Sequence, residues 1–370
     1  MAGLYIHIPF CKSRCIYCGF YSTTHLDMRQ QYIDALCREM ELRRQEELSQ
    51  IKTIYLGGGT PSQLTIPQLE HLFHYINKIY TDSHVSEVTM EMNPDDVTEE
   101  YALALSRLGV NRISMGVQTF NDHRLHFLHR RHTSAQVAQA IKILRGVGFH
   151  NISIDLMYGF PDETLHDWSH DIDEALKLDV EHISAYCLMI EEGTPLWKWR
   201  MEHGEWSMDE EGERAMYELL TERLEAEGYE HYEISNFARP GYRSQHNSSY
   251  WQDVPYIGLG AAAHSYNRHS RSWNVADIRA YIKAIERGEL PLEKEIIDED
   301  THYNDCITVA LRTKEGLDLL QFPEKYRKYC LNEAQRFIDD ELLCVHNHHL
   351  SLTKRGLFVS DYIMSSLIYV

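Results

Sequence analysis

The chain lacks any run of about 18 uncharged apolar residues, the minimum for a membrane-spanning helix, so no membrane span is expected. Its opening residues, MAGLYIHIPFC, have no basic stretch ahead of a long apolar one, so no secretory signal is expected either. Cysteine is scarce: eight in 370 residues make no disulfide scaffold. Positive charge is in deficit, with 36 Lys and Arg against 56 Asp and Glu and a formal net charge of −20. Such a balance excludes a broad electrostatic hold on nucleic acid and favours solubility. No Lys-Ser/Thr follows the glycine run 57–59, so it is not a Walker A loop, and it does not match the G-x-G-x-x-G dinucleotide fingerprint. Repeats and low-complexity segments are absent. At 43% hydrophobic and 25% charged, the composition is that of a globular protein. A cytoplasmic protein with one main domain and one or two smaller ones is expected.

What is present starts with Cys11, Cys15 and Cys18, spaced C-x3-C-x2-C just after a short apolar strand. Zinc modules favour paired C-x2-C knuckles. Three close thiolates with no fourth suit a 4Fe–4S cluster with three irons held and one open to a substrate. A zinc site completed by His7 or His25 is the alternative. The other cysteines (37, 187, 306, 330 and 344) are scattered and are expected to be ordinary reduced residues.

The first half alternates strand and helix six times. Strands are expected at Leu4–Ile8, Thr53–Leu56, Glu87–Met92, Arg112–Gln118, Asn151–Met157 and His182–Ile190. Helices are expected at Asp27–Leu48, Pro67–Tyr80, from Thr98, Ser134–Val147 and Glu163–Leu178. Thr98 and Ser134 are the expected N-caps and Gly148 the stop. Alternation of this kind implies an α/β fold with a parallel sheet and right-handed crossovers, here a partial (β/α)6 barrel. The unusual residues gather at the C-terminal ends of the strands, where barrel enzymes build their sites. These are the cysteines, Gly57-Gly58-Gly59-Thr60-Pro61, Glu91, Gln118, Asp155, Tyr158-Gly159 and 186–189. Glycines there let a backbone approach a ligand, or simply make a tight turn. Glu91, Gln118, Arg130 and Asp155 are costly to bury without a partner; they read as ligand contacts or as structural ion pairs.

Beyond Gly193 the pattern changes. A charged helix is expected over about 205–228, then a loop-rich stretch 229–273, then a helix 275–287. The tail, from about 300, reads as helices with a hairpin around His346–His349 and a last helix capped by Thr353, a winged-helix-like unit. The domain boundaries so drawn are 1–200, 201–295 and 296–370.

CxxxCxxC on strand one, GGGTP on strand two and a glutamate on strand three resemble the radical S-adenosylmethionine superfamily. LYIHIPFC, YLGGGTP, MEMNPD, RISMGVQTF and IDLMYGFP are similar to its branch containing oxygen-independent coproporphyrinogen III oxidase and the HemW-type heme chaperones. That resemblance implies a 4Fe–4S cluster on Cys11, Cys15 and Cys18. It implies S-adenosylmethionine near Tyr5, Gly58, Gly59, Thr60 and Glu91, with Gln118, Arg130, Asp155 and Tyr17 completing that site or a second one. In the superfamily a reduced cluster gives one electron to the sulfonium and a 5′-deoxyadenosyl radical results. The oxidase carries a fourth cysteine where Phe20 stands here, and has a longer segment ahead of its motif; both differences favour the chaperone. His246-Asn247-Ser248-Ser249-Tyr250-Trp251 matches the HNxxYW motif tied to heme in that family. A histidine nitrogen can ligate iron while Tyr and Trp cover a porphyrin face, although a loop anchored by a buried Trp reads the same way. Gly19 departs from the family's usual Asp. The resemblance therefore implies a heme-binding protein that passes heme to membrane respiratory proteins and lacks coproporphyrinogen oxidase activity. It leaves open whether S-adenosylmethionine is cleaved, whether the chain pairs as a homodimer, and whether it docks at the inner face of the membrane.

Overall fold

In the computed structural model, which describes residues 2–46, 50–80, 84–204 and 210–370, the first six strands alternate strictly along their length. They are β1 (Ala2–Ile8), β2 (Ile51–Gly58), β3 (Glu87–Met92), β4 (Arg112–Gln118), β5 (Ile152–Tyr158) and β6 (His182–Cys187). Because side chains two apart share a face, Leu4, Ile6, Ile8, Leu56, Met90, Ile113, Met115, Ile154 and Ile183 all point one way. They pack against Leu36, Leu72, Leu105, Leu144 and Ile172 of the crossover helices. Each fully buried Leu or Ile there contributes roughly 1.5–3 kcal/mol. The intervening residues, Tyr5, Tyr55, Glu91, Ser114, Gly116 and Asp155, share the opposite, concave face.

The helices between these strands are α1 (Arg29–Leu42), α2 (Ile66–Tyr80), α3 (Glu99–Arg107), α4 (Asp122–Phe127), α5 (Ser134–Val147) and α6 (Leu165–Lys177). The strands run parallel in the order 1 to 6. Thr98 caps α3, accepting from Tyr101 N at 3.2 Å. For α5 the cap is Thr133, in a capping box with Gln136, rather than Ser134. A side chain that can reach the third helical N–H decides this. Gly148 stops the helix at φ +102°. α1 is shorter than its periodicity implies; residues 47–49, at the end of that expected span, lie outside the described residues.

Among the described residues the sheet does not close on itself: β6 and β1 each pair with later strands. After α7 (Pro195–His203) and α8 (Glu210–Ala226), the stretch expected to be loops forms a series of short elements. These are β7 (Glu230–Glu233), β8 (Asn236–Ala238), α9 (Gln245–Trp251), β9 (Tyr256–Leu259), β10 (His264–Tyr266) and β11 (Ser270–Asn274). The start of the helix expected at 205 lies outside the described residues. β8 extends the sheet beyond β6, and β9 joins β1 in parallel, making twelve strands with β12 (Leu292–Ile296) at the far edge. Strands of three to five residues are too short to show a period. They form because the two open edges of the barrel offer unpaired backbone groups. Met216, Leu220, Phe237, Ile257, Leu259 and Ile285 join the barrel's core; Ile285 comes from α10 (Ile278–Glu286).

A second core belongs to the tail: α11 (Glu299–Ala310), β13 (Leu317–Asp318), α12 (Glu324–Asp339), the hairpin β14 (Leu343–His346) and β15 (His349–Leu352), and α13 (Ser360–Ser366). Tyr303, Ile307, Phe337, Leu350 and Ile363 pack together there. Thr353 does not cap the last helix as expected: it accepts from Gly356 N at 3.1 Å, while Arg355 is the N-cap of the short 3-10 turn at Gly356–Val359 and Val359 that of α13. Among the described residues, no helix is long and apolar enough to cross a membrane.

Candidate functional site

A cavity of about 260 Å³ opens at the C-terminal ends of β1 to β5. Cys11, Cys15 and Cys18 form one wall, and Tyr5, Tyr17, Gly58, Gly59, Thr60, Glu91, Gln118, Arg130 and Asp155 line the rest. The β1 loop is tied to the β2 loop by backbone bonds from Gly59 N to Ile8 O (2.9 Å) and from Thr60 N to Phe10 O (2.8 Å). A Cβ on Gly59 would stand 2.8 Å from the Pro9 carbonyl carbon, so glycine is what lets these two loops stack. Gly58 sits at φ +110°, in the region that favours glycine. Thr60 Oγ1 donates to Cys11 Sγ at 3.5 Å.

Arg130 follows α4 and reaches back across β4. Its guanidinium donates to Asn93 Oδ1 at 2.7 Å and to Cys15 Sγ at 3.6 Å. Its Nε is buried and has no hydrogen-bond partner among the described residues. Gln118 ends β4 at φ +72°, beside an irregularity in the β4–β5 register. A non-glycine residue held there is strained, and that conformation keeps Gln118 in the cavity wall.

Glu91 takes hydrogen bonds from Tyr55 Oη at 2.8 Å and Gly58 N at 3.1 Å. Burial nevertheless pushes its pKa up to about 7; the two donors pull it down and the Asp155 charge adds to the rise. Asp155 is raised to about 6, again by burial, with Arg112 opposing. The site thus holds two carboxylates poised near neutrality. A cation bound between them would favour their charged forms.

His246, Asn247, Tyr250 and Trp251 are elsewhere. α9 lies against the N-terminal ends of the strands, about five residues of strand, or roughly 16 Å, below Gly58. His246 is fully buried. Its Nδ1 meets Thr53 Oγ1 and its Nε2 meets Tyr250 Oη, both at 2.8 Å. Burial holds its pKa down at about 3, with the Arg112 charge assisting, so the ring is neutral, one nitrogen donating and the other accepting. Glu87 accepts from the backbone N–H groups of Gln245 and His246, each at 2.9 Å. The ring of Trp251 lies under the Arg312 guanidinium, 5.4 Å away. The motif therefore closes the floor of the barrel, and neither ring nitrogen of His246 is free in this arrangement.

Comparison with known proteins agrees with this geometry. A profile of the radical SAM superfamily matches residues 5–175, and one of the HemN C-terminal domain matches 297–359. The heme chaperone HemW of Bacillus subtilis is 38% identical over 331 residues, covering 88% of this chain and 87% of its own. That of Lactococcus lactis is 34% identical, covering 98% of this chain and 96% of its own. The chain belongs to the HemW family of radical SAM proteins. Its fold matches that of coproporphyrinogen III oxidase (HemN) from Escherichia coli with a TM-score of 0.86, at 20% identity over 99% of this chain and 90% of the other.

The cysteine cradle fits a cluster better than a single ion. Its thiols are not among the described His, Cys, Asp and Glu groups whose ligand atoms all lie within 4.8 Å of one another, as one tetrahedral zinc requires. His7 does not complete the cradle: its ring bonds Tyr5 Oη and Tyr21 O, each at 3.0 Å. Phe20, where the oxidase motif has its fourth cysteine, is 71% exposed. The carboxylate of Glu191 occupies the space that a side chain at Gly19 would take, so an acidic group stands beside the cluster loop after all.

Contributors not singled out from the sequence include Tyr55, Asn93, Glu191 and Ser114, which donates to Asp155 Oδ1 at 3.5 Å. Tyr55 had a signal, an aromatic residue at an inward position of a parallel strand. Asn93 and Glu191 had none, because loop geometry alone brings them in.

Proposed function

We propose that this chain binds a 4Fe–4S cluster through Cys11, Cys15 and Cys18, S-adenosylmethionine in the adjoining cavity, and heme, which it hands to membrane respiratory proteins. The observation that carries the reading is that the three thiols and the titratable pair Glu91 and Asp155 share one cavity, in a chain similar over nearly its whole length to curated heme chaperones. When bound, such a cluster supplies single electrons at low potential to a sulfonium. The protein's own groups do the positioning. Arg130 lies against Cys15 and offsets the negative charge of the thiolates. Glu91, held by Tyr55 and Gly58, offers an ionised carboxylate to ribose hydroxyls or a cationic ligand above about pH 7. Gly58 and Gly59 keep the wall free of side chains there.

Heme ligation by His246 goes with release of α9 from the floor, because both ring nitrogens are already engaged. The experiment takes anaerobically reconstituted protein, adds hemin, and follows heme uptake and 5′-deoxyadenosine release together. Heme is expected to bind and coproporphyrinogen is not expected to be decarboxylated. His246→Ala should weaken heme binding, and Thr53→Val, which removes one latch, should speed uptake. Clear decarboxylation would replace this reading with that of an oxidase. Unchanged heme affinity in His246→Ala would put the iron elsewhere.

A further inference from the structure

A second cluster of ligand-type side chains lies away from the barrel cavity, where the turn after α9 meets the first helix of the tail. His302 and Cys306 stand one helical turn apart on α11, an i, i+4 pair that shares a face. Asp253 reaches them from the turn. Its backbone is held in the left-handed region at φ +54°, and its carboxylate is oriented by the Tyr266 hydroxyl, which donates to Oδ1. One oxygen, one nitrogen and one sulfur lie within 4.8 Å of each other.

The distances decide what the group is for. His302 Nε2 is 3.2 Å from Asp253 Oδ2 and 3.6 Å from Cys306 Sγ. A tetrahedral zinc with Zn–N of about 2.0, Zn–O of about 2.1 and Zn–S of about 2.3 Å has an N–O edge of roughly 3.4 Å and an N–S edge of roughly 3.5 Å, each within about 0.2 Å of the distances here. A catalytic relay of Cys, His and Asp would use the two ring nitrogens separately, one toward the thiol and one toward the carboxylate. Here a single nitrogen faces both partners, and one N–H cannot donate well to two acceptors in different directions. Convergence on one point is the geometry of a shared ion.

We propose that Asp253, His302 and Cys306 bind a divalent ion of the zinc class, with the fourth position open. Cys306 is buried and His302 is about a third exposed, so the ion enters from the imidazole side. The competitor already present is Arg268. Its Nε lies 3.1 Å from Asp253 Oδ2 and 2.9 Å from the Asp253 carbonyl oxygen. That side chain is half exposed, and the carboxylate oxygen has a second lone pair for the metal. The hydrogen bonds from Tyr266 and Arg268 then act as the outer contacts that orient a ligating carboxylate. Such an ion ties the turn after the floor helix to α11, and so the barrel to the tail.

The test uses full-length protein with its cluster loaded, so that Cys11, Cys15 and Cys18 are occupied, and Co²⁺ as the visible stand-in for zinc. One equivalent should bind with the ligand-field bands of a tetrahedral site and a thiolate charge-transfer band, and Zn²⁺ should bleach both. Cys306→Ser should remove the charge-transfer band. His302→Ala and the isosteric Asp253→Asn should each weaken binding at least tenfold. Zn²⁺ should raise the melting temperature of the wild type and not of Asp253→Asn, a comparison that stands even where Cys306→Ser folds poorly. No tetrahedral spectrum in the wild type, or a charge-transfer band that survives Cys306→Ser, would overturn the proposal. A hemin Soret shift that depends on Cys306 in a protein that binds no cobalt would overturn it as well, in favour of a porphyrin-iron site.

Discussion

The two ends of the barrel use the same kinds of side chain in opposite ways. At the floor, His246 has both ring nitrogens bonded and Glu87 caps the helix that carries it. At the mouth, Arg130 keeps a buried nitrogen without a partner among the described residues, and Glu91 and Asp155 stay near neutral titration. His246 and Glu87 at the floor are thus engaged by their neighbours, although Ser248 Oγ and Trp251 Nε1 of the same helix have no partner among the described residues. The mouth gathers its polar groups around a cavity. The presence of a polar residue inside a barrel therefore does not by itself mark a ligand site; what sets the mouth apart is that three thiols and two carboxylates raised by burial surround one cavity.

The contrast can be broken most decisively at Cys15. Cys15→Ala should abolish the brown absorbance and the iron content after anaerobic reconstitution, while the melting temperature of the cluster-free protein changes little. Full iron content in that variant would mean that the mouth does not hold the cluster. A change at the floor should do the reverse. His246→Ala removes two hydrogen bonds, each worth about 1 kcal/mol net, and leaves Thr53 and Tyr250 unpartnered. A loss of roughly 2–4 kcal/mol is expected from denaturant unfolding of the cluster-free protein, with cluster loading at wild-type level. Loss of the cluster with unchanged stability would erase the distinction between the two ends.

The smallest change sharpens the comparison, because Tyr55 belongs to both ends. Its ring stacks on His246 with centroids 5.1 Å apart, and its hydroxyl donates to Glu91. Glu91 titrates higher in the folded chain than when unfolded. The ligand-free protein therefore loses stability as pH climbs from the ordinary carboxylate value to about 7. A cationic ligand has the opposite preference, so S-adenosylmethionine should bind more tightly at pH 8 than at pH 6. Tyr55→Phe deletes a hydrogen bond that favours the charged carboxylate. It should shift the midpoint of that affinity rise to higher pH, while the plateau falls only a few-fold. Calorimetric titrations across pH read both; an unmoved midpoint would mean that Glu91 is not the titrating group.

Much of this was legible beforehand. The strand–helix alternation, the cysteine spacing and the glycine run lie close together in sequence, and each local pattern has a local cause. Residues such as Glu91, Gln118 and Asp155 stood out because they interrupt apolar strands at one consistent end. The stretch 229–273 read as loop for a physical reason: its strands are short and exist only by pairing with the open edges of the barrel. The position of His246 was equally hidden. Its partners, Thr53 and Glu87, lie far from it in the chain, and a motif rich in His, Tyr and Trp reads the same whether it covers a ligand or plugs a floor.

By itself, then, the order of residues determined the alternating strands, the crossover helices and the three thiols after β1, because periodicity and spacing act within a few residues. Only the tertiary structure decided which polar groups are satisfied and which are left facing a cavity, and that the turn at Asp253 meets His302 and Cys306. The reason is that a hydrogen bond or a metal edge depends on separations of about 3 Å in space, which distant segments acquire only when the cores beneath them have packed.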